Sequence, residues 1–189
     1  MIILAAGGSR RLGTPKQLVQ FKGETLLRRI VREAMSSGCS PVVVVLGSEA
    51  DRSRDEISGS DVLIAANPLW ERGMGGSIKR GLNALKASGS PVDAAVICAC
   101  DQPFVTADII AQLASRFYQT GKAVIASGYE QTIGVPALFS KDMFPILLEL
   151  DDASGAKAMI NRQDAEIIPF PAGAFDIDTM ADVQRLDTI

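Results

Sequence analysis

Short, nearly uninterrupted apolar runs alternate along the chain with longer stretches whose apolar residues recur every three or four positions. Residues 1–4, 42–46, 61–65 and 94–99 are of the first kind, too brief for helices and patterned like strands buried on both faces. Residues 25–38 place Leu26, Leu27, Ile30, Val31, Ala34 and Met35 on one stripe and close at Gly38, a residue suited to the left-handed position after a helix. Residues 106–118 put Ile109, Ile110, Leu113 and Phe117 on one side, behind Thr106 as N-cap. Beyond Leu138 the pattern loosens: 140–150 and 153–162 read as helices, 165–168 as an edge strand, and 175–179 as the lead into a final helix. This alternation predicts an α/β fold in three layers, a mostly parallel twisted sheet with helices on both faces. With no internal repeat and no linker, residues 1–189 read as one domain.

In such a sheet ligands gather at the carboxyl ends of the strands. The first strand runs straight into a turn carrying Gly7, Gly8, Ser9, Arg10, Arg11 and Lys16. Glycines there let backbone N–H groups approach an anion, while Arg11 and Lys16 supply a forked donor and a compact charge suited to a polyphosphate. Two familiar phosphate motifs are excluded. A dinucleotide fingerprint needs glycines at i, i+2 and i+5, but Ser9 or Arg10 occupies the middle position; a P-loop needs Gly-Lys-Ser/Thr, but Gly13 is followed by Thr14, Pro15 and Lys16. An ordinary basic turn is the alternative reading. Residues 67–77 follow the third strand and 101–103 the fourth, so all three segments are expected to border one crevice.

Charge sharpens this picture. The chain carries a net −3, yet its first 32 residues hold seven basic side chains against the single acid Glu24. Positive charge beside the glycine turn suits a small polyanion, whereas a pI near 5.0 argues against a nucleic-acid binder. No apolar run approaches bilayer length, and the apolar start lacks the basic region and cleavage site of a secretory leader, so no membrane or secretion is expected. Three cysteines fit a reducing cytoplasm, with Cys98 and Cys100 read as small core residues of one strand.

Asp101 ends the fourth apolar run, where its carboxylate would emerge at the crevice as a Mg²⁺ ligand; a turn or capping role is the alternative. Asp178 is the second acid, and with Asp176 two residues before it both would point the same way on an extended segment; either could face the metal while the other caps the final helix with Thr179. Histidine is absent, which removes Ser-His-Asp and Cys-His catalysis and histidine-ligated metals. Nucleotidyl transfer to a phosphate monoester needs little proton handling, because the second phosphate pKa is about 6. Arg11, Lys16 and Asp101 are the side chains such chemistry uses.

The chain resembles the molybdenum cofactor nucleotidyltransferases, and within them the cytidylyltransferase branch. The resemblance rests on residues 4–7 with Arg11, Gly13, Pro15 and Lys16; on Asn67 and Pro68 with Trp70 and 73–77; and on 100–103, 134–136 with Phe139, 155–157 and 176–182. It implies a Rossmann-like nucleotidyltransferase fold and a Mg²⁺-dependent transfer of CMP from CTP to the phosphate of molybdopterin cofactor. It also implies Leu4, Ala5, Ala6, Gly7, Gly8, Ser9, Arg11, Lys16, Asn67, Gly75, Ser77 and Cys100 at the nucleotide, and Gly134, Pro136, Gly155 and Lys157 at the acceptor. Asp101 would hold the metal, and a molybdenum hydroxylase would receive the product. A sugar or polyol phosphate as acceptor, or a non-catalytic binding module, is the alternative.

Overall fold

In the computed structural model, which describes all residues except Arg10, Gln131, 161–163, Asp187 and Ile189, the chain forms nine strands and seven α-helices among the described residues. In order these are β1 (Ile2–Ala5), β2 (Gln20–Phe21), β3 (Glu24–Thr25), α1 (Leu26–Ser36), β4 (Val43–Leu46), α2 (Ala50–Glu56), β5 (Leu63–Ala66) and α3 (Met74–Ala87). There follow β6 (Ala94–Ala99), α4 (Ala107–Thr120), β7 (Val124–Tyr129), β8 (Thr132–Ser140), α5 (Phe144–Leu148), α6 (Ala156–Ile160), β9 (Glu166–Pro169) and α7 (Met180–Leu186). β2 and β3 make a small hairpin; the other seven strands form one sheet in the order β5-β4-β1-β6-β8-β7-β9. All pair in parallel except β8, which is antiparallel to both neighbours.

Strand alternation divides the core. Ile3 and Val44 pack with Leu27 and Ile30 of α1 and Ile110 and Leu113 of α4. Ile2, Val43 and Val45 face Ile78 and Leu82 of α3. Each such fully buried aliphatic contributes about 1.5–3 kcal/mol of burial. α3 crosses β1 so closely that a Cβ at Gly81 would lie 2.5 Å from Ile2. This layering holds β1 and β6 side by side, with the loops after them at one edge.

The strands and helices expected along the chain form, with several differences in extent and capping. Thr25 caps α1 and Gly38 takes the expected left-handed conformation, φ +79°. Thr106, however, makes no side-chain cap for α4; Glu33 of α1 accepts the Ala107 N–H instead, at 2.8 Å. Of the expected helix over 140–150, Ser140 is still the end of β8, its N–H bonding the Ala123 carbonyl, and a 3-10 turn over Lys141–Met143 leads into α5, which stops at Leu148. Of the expected helix over 153–162, residues 156–160 are helical, and 161–162 lie outside the described residues. β2, β3, α2 and α3 answer to no sequence expectation, and neither do β7 and β8. Their pairing shifts between Ala126 and Ser127, and Pro136, unable to donate to the ladder, sits in that irregularity. Among the described residues no helix is long and apolar enough to cross a membrane.

Candidate active site

Backbone geometry at the end of β1 shapes the first loop. Gly7 has open space where a side chain would stand, whereas a Cβ at Gly8 would come within 2.3 Å of the Trp70 ring. Ser9 adopts φ +47°; its carbonyl accepts the N–H groups of Leu12 and Gly13, and its Oγ accepts the Lys16 N–H at 2.8 Å. Buried Gln17 donates from Nε2 to the carbonyls of Ala5 (2.6 Å) and Gly7 (3.0 Å), stapling the entry of the loop to its exit. Its Oε1 is buried without a partner.

Two acids meet this loop from other parts of the chain. Asp101 follows β6, and its carbonyl accepts the Ile177 N–H at 2.9 Å. Next in the chain, Thr179 and Asp182 exchange hydrogen bonds at the start of α7: Asp182 accepts the Thr179 N–H at 2.8 Å, and Thr179 Oγ1 accepts the Asp182 N–H at 3.3 Å. These bonds fix Asp178 opposite the loop. Lys16 Nζ donates to Asp101 Oδ2 at 3.0 Å and to Asp178 Oδ1, while Arg11 donates to Asp178 Oδ2 at 2.8 Å.

Burial pulls the Lys16 pKa down, but Asp101 and Asp178 outweigh it and hold the ammonium above its ordinary value. Hydrogen bonding from Lys16 keeps the Asp178 carboxyl below the usual range. Asp176 differs: burial, with Asp101 nearby, pushes its carboxyl up to about 6. Burial likewise pushes up the thiols of Cys98 and Cys100. Among the described residues no cluster of three or more His, Cys, Asp or Glu is assembled to hold a metal.

These groups surround a cavity of about 430 Å³. Residues 4–9, Arg11, Lys16, Ser77, Cys100, Asp101 and Asp178 line it, as do Gln17, Trp70, Glu71 and Met74. Arg10 lies outside the described residues. Residues 74–77 are the first turn of α3 rather than loop, which separates the roles of their neighbours. Ser77 faces the cavity. Gly75 faces away, donating its N–H to the Asp152 carbonyl at 2.9 Å, and a Cβ there would lie 2.2 Å from the Asp151 carbonyl. Asn67 is also outside the lining; it is buried behind Ser77 and donates to its Oγ at 2.9 Å.

The four acceptor-side positions do not line this cavity. Lys157 borders a second, more open cavity of about 570 Å³ beside the β7–β8 turn, where it donates to Thr132. Gly134 leaves room for Tyr129, whose hydroxyl would sit 2.1 Å from a Cβ there. The Pro136 carbonyl accepts from Ser127, and Gly155 packs beside Met74. Gln17, which staples the loop, carries no chemical signature along the chain, being a lone glutamine beside a lysine.

Comparison with known proteins adds a lineage to this geometry. Nicotine blue oxidoreductase of Paenarthrobacter nicotinovorans is 30% identical over 113 residues, covering 59% of this chain, and the chain spans about half, 53%, of that relative's length. A probable molybdenum cofactor guanylyltransferase of Mycobacterium avium is 26% identical over 98% of this chain and 93% of its own. The crystal structure of an Rv0371c homologue from Mycobacterium sp. strain JC1 superposes with a TM-score of 0.82 and 29% identity, over 99% of this chain and 94% of that one. The family described as the MobA-like NTP transferase domain matches residues 1–167, and the chain belongs to it.

Proposed function

We propose that this chain is a nucleotidyltransferase that moves CMP from CTP to the phosphate of molybdopterin cofactor and releases pyrophosphate. One observation carries the reading: Arg11 and Lys16 stand with Asp101 and Asp178 around the open face of the glycine loop. A triphosphate lying there would meet loop N–H groups and two cations. The acceptor phosphate oxygen forms a bond to the α-phosphorus, and the bond from that phosphorus to the β-phosphate bridging oxygen breaks. Because the attacking phosphate is largely dianionic at neutral pH, no side chain has to remove a proton, in keeping with a chain without histidine.

A divalent cation fits the donor set, since Asp101 and Asp178 already share one cationic group, the Lys16 ammonium. Mg²⁺ commonly takes one or two carboxylates and completes its shell with water and substrate phosphates. Asp101 and Asp178 would hold it, and it would supply positive charge to offset the negative charge developing on the leaving pyrophosphate. Arg11 and Lys16 orient the phosphates, and Ser77, held by Asn67, presents its hydroxyl to the cavity.

The donor base rests on residues 4–7 as they resemble the cytidylyl branch; the relative named a guanylyltransferase makes GTP the competing donor. Pyrophosphate release from CTP, GTP, ATP and UTP, each crossed with molybdopterin and with sugar and polyol phosphates, decides both substrates. CTP with molybdopterin should give the highest kcat/KM. Faster turnover with another pair would replace those substrates, and NAD(P)H oxidation without pyrophosphate release would replace the reaction class. The product would pass to a molybdenum hydroxylase.

A further inference from the structure

Lys16 occupies the position between Asp101 and Asp178 in which a shared cation would sit. Together with Arg11 it engages three of the four oxygens of these two carboxylates. None of the three groups is fully exposed: the side chains of Lys16, Asp101 and Asp178 retain 20%, 27% and 36% of their accessible surface. The lysine backbone is anchored, because its N–H is held by Ser9 Oγ. Its four-carbon stem can therefore swing the ammonium between the carboxylates and the open loop without moving the loop itself.

We infer that Lys16 is the built-in counter-ion of Asp101 and Asp178, and that it must release them before a divalent cation can bind. This rests on the nucleotidyltransferase reading above. An ammonium and a divalent ion repel one another and need the same carboxylate oxygens, so the two cations compete for one place. An arriving triphosphate offers Lys16 another anion within reach of the loop. Releasing the carboxylates to the metal then coincides with gaining the phosphates, and nucleotide and cation promote each other's binding by the same factor. Lys16 thus has two successive partners: the acids in the empty site and the phosphates in the loaded one. It also keeps two neighbouring carboxylates compensated while no substrate is present.

The experiment is a titration with Mn²⁺, first alone and then with CTP present, read from the electron paramagnetic resonance signal of the free ion, on wild type, K16M, K16Q, D101N and the double variant K16M/D101N. Circular dichroism checks that each is folded. K16M and K16Q should each bind one Mn²⁺ at least about tenfold more tightly than wild type, and K16M/D101N should lose that site. Equal or weaker binding by both lysine variants, with a D101N-sensitive site present in wild type, overturns the displacement while leaving the metal reading standing. Failure of wild type and both lysine variants to hold Mn²⁺, with CTP present or absent, overturns both.

Discussion

The backbone N–H of Ile177 donates to the carbonyl oxygen of Asp101 at 2.9 Å, tying the segment before α7 to the residue that follows β6. Ile177 is wholly buried, so the acids on either side of it turn away from the core, and Asp178 meets the loop after β1. The site is thus assembled from three distant stretches, and its second carboxylate depends on a hydrophobic anchor. Asp178 pairs with Lys16 and Arg11, whereas Asp176 lies beside Asp101 and Gln102.

Ile177→Ala should cost about 2–5 kcal/mol of stability, the range for a buried isoleucine truncated to alanine. It should also raise KM for the nucleotide more than it lowers kcat, since it loosens Asp178. Urea unfolding and steady-state kinetics measure the two effects. A destabilised variant with unchanged KM would show that Asp178 does not need this anchor.

Asp182 holds its place through the Thr179 hydroxyl and N–H, which keep its carboxyl below the usual range. A carboxyl depressed in the folded state stabilises fully above its unfolded pKa of about 3.9, and that contribution disappears as pH falls through the lower folded value. D182N should therefore lower the unfolding midpoint at pH 7, with the gap to wild type closing as the pH drops below about 4. A gap that stays constant across that window would contradict the assignment.

Gly8→Ala places a methyl group 2.3 Å from the Trp70 ring, so either the ring or the loop must move. Trp70 is the single tryptophan of the chain, and its fluorescence reads the displacement directly. G8A should shift the emission and weaken nucleotide binding, and G8A/W70L should recover much of the binding. Loss in the double variant equal to the sum of the two single losses would mean the residues act independently.

Cys98 and Cys100 are buried, and burial raises their thiol pKa values, whereas Cys39 is only half-buried. In native protein at pH 8, Ellman's reagent should titrate one thiol promptly, and all three after denaturation. Prompt reaction of a second thiol would place Cys98 or Cys100 within reach of solvent.

Much of this was legible along the chain. The strands that carry the site are continuous apolar runs between layers, so β1, β4 and β6 announced themselves, and the rule for strand ends then pointed to the glycine loop and Asp101. The two-residue spacing marked Asp176 and Asp178 as a pair, but not which of them meets the loop. What stayed hidden depends on distant partners. Glu33, rather than Thr106, serves the start of α4 because α1 packs beside it. The register shift opposite Val135 and Pro136 interrupts the alternation that would have revealed β7 and β8. Gly75, which the resemblance sets at the nucleotide, is turned by α3 toward Asp151 and Asp152, a consequence of where the helix begins.

Equilibrium binding of CTP by isothermal titration calorimetry, with Mg²⁺ and then with EDTA, on wild type and D101N, goes straight to the central claim. Wild type with Mg²⁺ should bind at least about tenfold more tightly than either wild type in EDTA or D101N with Mg²⁺, a difference of about 1.4 kcal/mol. Equal affinity in all three conditions would contradict a triphosphate held between the first loop and a cation on Asp101.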